Sequence, residues 1–397
     1  MTKFKQILAI TAALAMCLAL AACSGSSGEA TASPSADPSP SQSADPSPSA
    51  DTGIQVDLTQ ALFPFASGLA DTDVAMTVDG AEISNQLYLY WLAYDCSLLS
   101  SYAQYGMTVD FSDERMASYV LSDSQAAVVY YAVLARLCEE NGAGLTAKQS
   151  ADIQKQIDDY EAENGEGSLA ALLRRSGLDE AAFRNVISNS YLFNNLADAV
   201  VGKPTDEDLE KYVEENGIFS VKHILLKTTD EDVKGEDGAV TQTAEEYNAA
   251  QKALAEDLLA QLRASDDRDS LFDTLMEEYS EDGRSSDGKL ISPDGYTFDS
   301  TSSLVSGFRE ATLALKVGEM SGIAETDYGY HILLRLPVDA SGYESNWISD
   351  ETDALIVAGT QEAEVTVADE IQALNVADFY ERYLAYLAEL QNESAVG

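Results

Sequence analysis

Val221-Lys-His223-Ile-Leu-Leu226 and Gly329-Tyr-His331-Ile-Leu-Leu334 hold the two histidines of a 397-residue chain, each ring followed by the same three residues. Both rings stand at the mouth of an apolar run of strand length, a pattern that predicts a buried strand. One histidine beside such a run reads as a satisfied core residue. A matched pair, with no other histidine in the chain, predicts two neighbouring strands that bring two imidazoles together.

Around this pair the texture is mixed. A strand over 219–227, a polar loop, helices over 245–264 and 269–280, a glycine-containing stretch, a helix over 303–315 and a strand over 329–336 give an α+β domain of order β-α-α-β-α-β-β. Pro204 and Pro337 stand just outside it, and prolines stop regular elements. Upstream, Val74 to Val78, Asp79-Gly80 and Ala81 to Ile83 predict a hairpin. Ser84 can cap a helix whose Leu87, Trp91, Tyr94 and Leu98 recur every three or four residues. Further helical patterns cover 113–141, 147–163, 168–175, 179–201 and 205–216. Tyr88, Tyr90, Trp91, Tyr94, Tyr102, Tyr105, Tyr119, Tyr130 and Tyr131 crowd this region, as a bundle core or as a sticky surface for unfolded chains. After Pro337 the helical texture returns, ending in Phe379, Tyr383, Leu387 and Leu390 on one helix face, which needs a partner. The simplest architecture makes 218–337 an insert in a mainly helical domain, with 338–397 packing back on 54–217.

Lys3, Lys5 and an uncharged stretch from Ile7 to Ala19 form a secretory signal over residues 1–22, too short for a membrane span. Leu20-Ala-Ala-Cys23 resembles a bacterial lipobox, which implies cleavage before Cys23 and lipid on its thiol. Residues 23–53 are rich in Ser, Pro, Ala and Asp and hold five of the nine prolines. They predict an extended, solvated tether. Losing residues 1–22 removes two lysines and no acids, so 21 basic face 68 acidic side chains, a net charge of −47. Such a chain is not a nucleic-acid binder, and it docks on anionic lipid only through the acyl anchor. The acid serves solubility; no Asp-x-Asp-x-Asp-Gly spacing marks a calcium loop. Cys96 and Cys138 either pair or stay as buried thiols.

Residues 218–337 resemble a parvulin-type peptidyl-prolyl isomerase domain. The resemblance rests on Val221 to Leu226, Tyr279-Ser-Glu-Asp282, Phe308-Arg-Glu-Ala311, Leu315-Lys-Val-Gly-Glu-Met-Ser321 and Thr326-Asp-Tyr-Gly-Tyr-His331-Ile332, in the family's order and spacing. The lipobox and flanking helical segments are similar in layout to PrsA-type foldase lipoproteins and SurA-type chaperones. What the resemblance implies is a non-covalent isomerase of X-Pro bonds. His223 and His331 match the family's paired imidazoles and Asp282 the position beside the substrate amide. Leu290, Leu304 and Phe308 match the proline pocket, and Thr326 a hydroxyl near the histidines. Where many members read Gly-Gly-x-Leu-Gly, this chain has Asp287-Gly-Lys-Leu290-Ile291, and 292–303 is longer than usual. The acidic loop 228–237 lacks an arginine cluster, so no preference for phosphoserine-proline is expected.

The implied partners are unfolded or nascent secreted proteins with X-Pro bonds, and the implied cofactor and metal are none. The alternative is a holdase chaperone whose helical part does the work. A zinc site of His223, His331 and Asp282 has few ligands to draw on. No Gly-x-Ser-x-Gly or His-Glu-x-x-His supports a hydrolase, and a solute-binding lipoprotein would alternate strand and helix through most of its length.

Overall fold

A computed structural model describes residues 53–396. The expected signal, the lipidation site Cys23 and nearly all of the tether lie outside the described residues. The chain forms two compact units, one of residues up to Gly202 together with Ile348 onward, the other Lys203–Trp347.

The first unit begins with α1 (Leu62–Ser67), then the hairpin β1 (Val74–Val78) and β2 (Ala81–Ser84). Asp79 and Gly80 both take positive φ, 51° and 82°, as a two-residue hairpin turn requires. Helices α2 (Asn85–Ser101), α3 (Glu114–Glu140), α4 (Ala147–Asn164), α5 (Ser168–Ser176) and α6 (Glu180–Leu196) follow. Their starts are written in the sequence: Ser84, Asp113, Thr146 and Asp179 each accept a backbone N–H of the first turn. Most of the aromatic residues are core. Trp91 stacks on Tyr131 at 4.8 Å, and Tyr88, Tyr90, Tyr94 and Tyr130 are buried. Cys96 and Cys138 are buried and free, and the Cys138 thiol donates to the Leu192 carbonyl.

The second unit is longer than the expected 218–337 at both ends, starting beside Pro204 and running on to Trp347. Helix α7 (Asp206–Glu215) belongs here and not with the upstream helices, because Tyr212 packs on Tyr343 at 6.3 Å. The rest is β3 (Phe219–Lys227), a small hairpin β4 (Val233–Lys234) and β5 (Val240–Gln242), α8 (Ala244–Ala264), α9 (Arg268–Tyr279), β6 (Tyr296–Phe298), α10 (Ser306–Leu313), β7 (Met320–Thr326) and β8 (Gly329–Leu336). Strands order β6-β3-β8-β7 in one antiparallel sheet. Alternation along β3 sends Ile224 and Leu226 to the face covered by α8 and α9, with Leu258, Leu262 and Phe272. Val221 faces the other way, toward Phe308 and Leu333.

Helix α11 (Glu344–Glu362) carries the chain back into the first unit. The tail is not wholly helical: β9 (Val365–Val367) pairs antiparallel with β1, ahead of α12 (Asp369–Gln372) and α13 (Val376–Val396). A three-residue strand is too short to show a period, which hides it in the sequence. Phe379 and Leu390 are buried, and the Tyr386 hydroxyl donates to the Gln60 carbonyl at 2.7 Å, so the tail does pack on the N-terminal part.

Candidate active site

Register places the histidines. His223 lies opposite Leu333, and His331 opposite Leu225, so the rings are diagonal neighbours on one sheet face. The planes are 8° from parallel, and the two Nδ1 atoms are 3.2 Å apart. Both residues are buried.

Asp282 reaches them because the segment after α9 docks on the edge of β3 left uncovered by the short β6. Glu281 N–H donates to the Leu225 carbonyl at 2.7 Å, Leu225 N–H donates to Ser280 Oγ at 3.1 Å, and Lys227 N–H donates to Glu281 Oε2 at 2.7 Å. Arg284 ties the following loop, donating to the Ser280 and Gly288 carbonyls. Asp282 Oδ2 then sits 3.1 Å from His223 Nε2. At the other end, His331 Nε2 is 2.8 Å from Thr326 Oγ1.

These contacts fix the proton between His223 and Asp282. Burial alone pushes Asp282 up, yet hydrogen bonds from His223 and Tyr296 hold it well below the usual carboxylate range. An ionised Oδ2 accepts a hydrogen bond from His223 Nε2, so that nitrogen carries the proton facing Asp282. One Nδ1 donates to the other across the pair, and the Thr326 hydroxyl meets His331 Nε2, the direction of each bond following the tautomers of the rings. Burial, with the neighbouring His223, lowers the His331 pKa to about 4, so His331 is neutral at pH 7. The result is a continuous hydrogen-bonded chain from Thr326 through both rings to a carboxylate.

An apolar shelf completes the site. Phe308 stands edge-on to His223 at 5.2 Å and to His331 at 5.4 Å. Half-buried Leu304, Phe298, Val305 and Ala324 pack around it. Helix α10 comes this close to β7 only because Gly307 has no side chain, since a Cβ there would lie 2.9 Å from the Glu325 carbonyl oxygen.

Residues 208–334 match the family model described as PPIC-type PPIase domain. This segment is a parvulin-type domain. A longer similarity links the chain to "Foldase protein PrsA" of Clostridium botulinum, 23% identical over 247 residues, covering 58% of this chain and 64% of that protein. "Peptidyl-prolyl cis-trans isomerase Pin1" of Malus domestica is 38% identical over 84 residues, 21% of this chain and 60% of that one. Among solved structures, PrsA from Bacillus cereus aligns over 79% of this chain and 99% of its own, at 16% identity and TM-score 0.32.

Within the parvulin domain, the structure gathers His223, His331, Asp282, Thr326, Phe308 and Leu304 at one place. Leu290 is elsewhere. It is buried with Ile224, Leu226, Leu258 and Phe272 on the helix-covered face. A bridge between Arg284 and Leu290, with Ile291 N–H donating to the Gly283 carbonyl, folds the 283–291 loop back and turns Leu290 inward. Two residues that sequence reasoning missed stand in its stead. The Tyr296 hydroxyl donates to Asp282 Oδ2 at 2.6 Å, and Phe298 lies 6.1 Å from Phe308. Their signal was the alternation Tyr296-Thr-Phe298 behind a glycine, too short to register as a strand. Among the described residues no cluster of three or more His, Cys, Asp or Glu is arranged to hold a metal.

Proposed function

We propose that this site catalyses cis/trans isomerisation of X-Pro bonds in extracytoplasmic client proteins, without covalent chemistry. The observation that carries the reading is the hydrogen-bonded chain Thr326–His331–His223–Asp282 lying against the Phe308 shelf. An amide resists rotation by about 18–20 kcal/mol because conjugation stiffens C–N and leaves partial negative charge on the carbonyl oxygen. Twisting removes both. A fixed carboxylate beside the carbonyl therefore disfavours the planar amide relative to the twisted one, which is the differential binding a rotation catalyst needs. The Phe308 and Leu304 surface would take the proline ring, and the imidazoles would keep the carboxylate's partner proton in place. Asp282 is a poor nucleophile when so strongly hydrogen-bonded, which supports a non-covalent route.

The chain similarity to foldases supports an extracytoplasmic place of work, with lipid at Cys23 as the anchor and unfolded secreted chains as clients. Loss of radiolabelled palmitate from a Cys23→Ala protein would accompany that anchor. In a proline-isomer exchange assay the wild type should exceed background and His223→Ala/His331→Ala should not. Equal rates for the two proteins would remove the isomerase reading.

One observation favours a second, holdase reading. Tyr105 and Met107, at the turn after α2, are 69% and 56% exposed. Under that reading Tyr105→Ser/Met107→Ser loses suppression of client aggregation while isomerase rates stay unchanged.

A further inference from the structure

We infer that Tyr296 is a positioning residue for Asp282, locking the carboxylate in the one rotation that faces both His223 and the substrate amide. The inference rests on the isomerase reading above. Two donors meet on the same oxygen, Oδ2: the Tyr296 hydroxyl at 2.6 Å and His223 Nε2 at 3.1 Å. Asp282 keeps 25% of its side chain exposed, so burial by itself would not stop the carboxylate from turning to water. The phenol is the closer of the two donors, and its own anchorage is unusually good. Tyr296 pairs with Val221 in the β6–β3 ladder, its ring stacks on Phe298 at 5.8 Å, and it stands edge-on to His223 at 5.8 Å.

The chain takes this route through Gly295. Its φ is 91°, and a Cβ would lie 2.6 Å from the Val221 carbonyl oxygen, a distance no side chain tolerates. Gly295 thus lets β6 approach β3 closely enough for the next residue to reach across the site. Burial and the bond to Asp282 raise the Tyr296 phenol pKa, which keeps the hydroxyl protonated and donating. The extended stretch between Leu290 and Leu304, which looks like excess sequence, therefore supplies a strap whose tip holds the carboxylate.

The test is a double-mutant cycle in the full chain, Tyr296→Phe and Asp282→Asn singly and together, read by proline-isomer exchange and by NMR of histidine-labelled protein. Phe keeps the ring and its stacking and removes the hydroxyl alone. Tyr296→Phe should lower kcat by about tenfold, the scale of a hydrogen bond to a charged group. In the Asp282→Asn background the same change should cost less than about twofold, because no carboxylate remains to be held. The His223 Nε2–H resonance should move downfield in Tyr296→Phe as the phenol stops competing for Oδ2. The same loss in both backgrounds, or an unmoved resonance, would overturn the inference and mark Tyr296 as ordinary packing. If the wild type itself ran at background rate, the isomerase reading would fall, and the resonance would still decide whether Tyr296 holds Asp282.

Discussion

The low pKa of His331 carries a stability consequence that can be measured cleanly. Burial and the adjacent His223 bring it to about 4 from an ordinary 6.5. Because the folded value is depressed, the unfolded chain binds this proton first as pH falls. The contribution of neutral His331 is complete above pH 6.5 and is lost progressively between 6.5 and 4. A separation of about 2.5 units is worth about 3 kcal/mol at about 1.4 kcal/mol per unit. His331 is only 3% exposed, so solvent screening takes little from that figure. The assay is urea unfolding of wild type and His331→Gln across pH 7.5 to 4, followed through amide exchange in β8. The wild type should lose about 3 kcal/mol more than the variant across that window, since the variant lacks the titrating ring. Depression of Asp282 acts in the same direction but at lower pH, above which its contribution is already complete. The chain has two histidines, so labelled imidazoles give two resolved titrations in the same samples. Parallel pH curves for the two proteins, or a His331 ring that takes up its proton near pH 6.5, would refute the buried neutral ring.

Leu290→Ala should destabilise the parvulin domain by about 2–5 kcal/mol while leaving KM for a proline peptide unchanged; Leu304→Ala should show the reverse, a raised KM with a small stability cost, in denaturation and kinetics run side by side. Gly329→Ala should unfold the second unit or sharply lower its melting temperature, because φ is 140° and a Cβ would lie 2.1 Å from the Leu226 carbonyl oxygen. Tyr130→Phe should cost the first unit about 1–3 kcal/mol by calorimetry, as the hydroxyl donates to buried Asp353 Oδ1 at 2.8 Å.

The strands bearing His223 and His331 were legible because an apolar run follows each ring, Ile224 to Leu226 and Ile332 to Leu334, within strands of nine and eight residues. Helix starts were legible wherever Ser, Thr or Asp carried the cap. Asp282 and Thr326 were readable through family resemblance, since no periodicity singles them out. Leu290 was misplaced because resemblance assigns a position in sequence, whereas the 283–291 loop decides which side of the sheet that position reaches. Tyr296 and β9 escaped for a shared reason. Each lies in a three-residue strand whose state is set by a distant partner, Val221 in one case and Met76 to Val78 in the other. Local propensity holds no record of such pairings.

The closure of β9 on β1 has a consequence for how the chain matures. The first unit's sheet waits for residues near 365 to meet residues near 76, with a whole second unit between them. Bridging so many disordered residues would be slow. The intervening unit, however, leaves and rejoins at adjacent points, where Lys203 Nζ lies 3.7 Å from Glu344 Oε1. Once it has folded, its two ends are held as a short turn would hold them. As the chain emerges N-terminal end first, the parvulin domain can therefore be complete before the tail arrives, and it would then act as a clasp that brings the tail home to the hairpin.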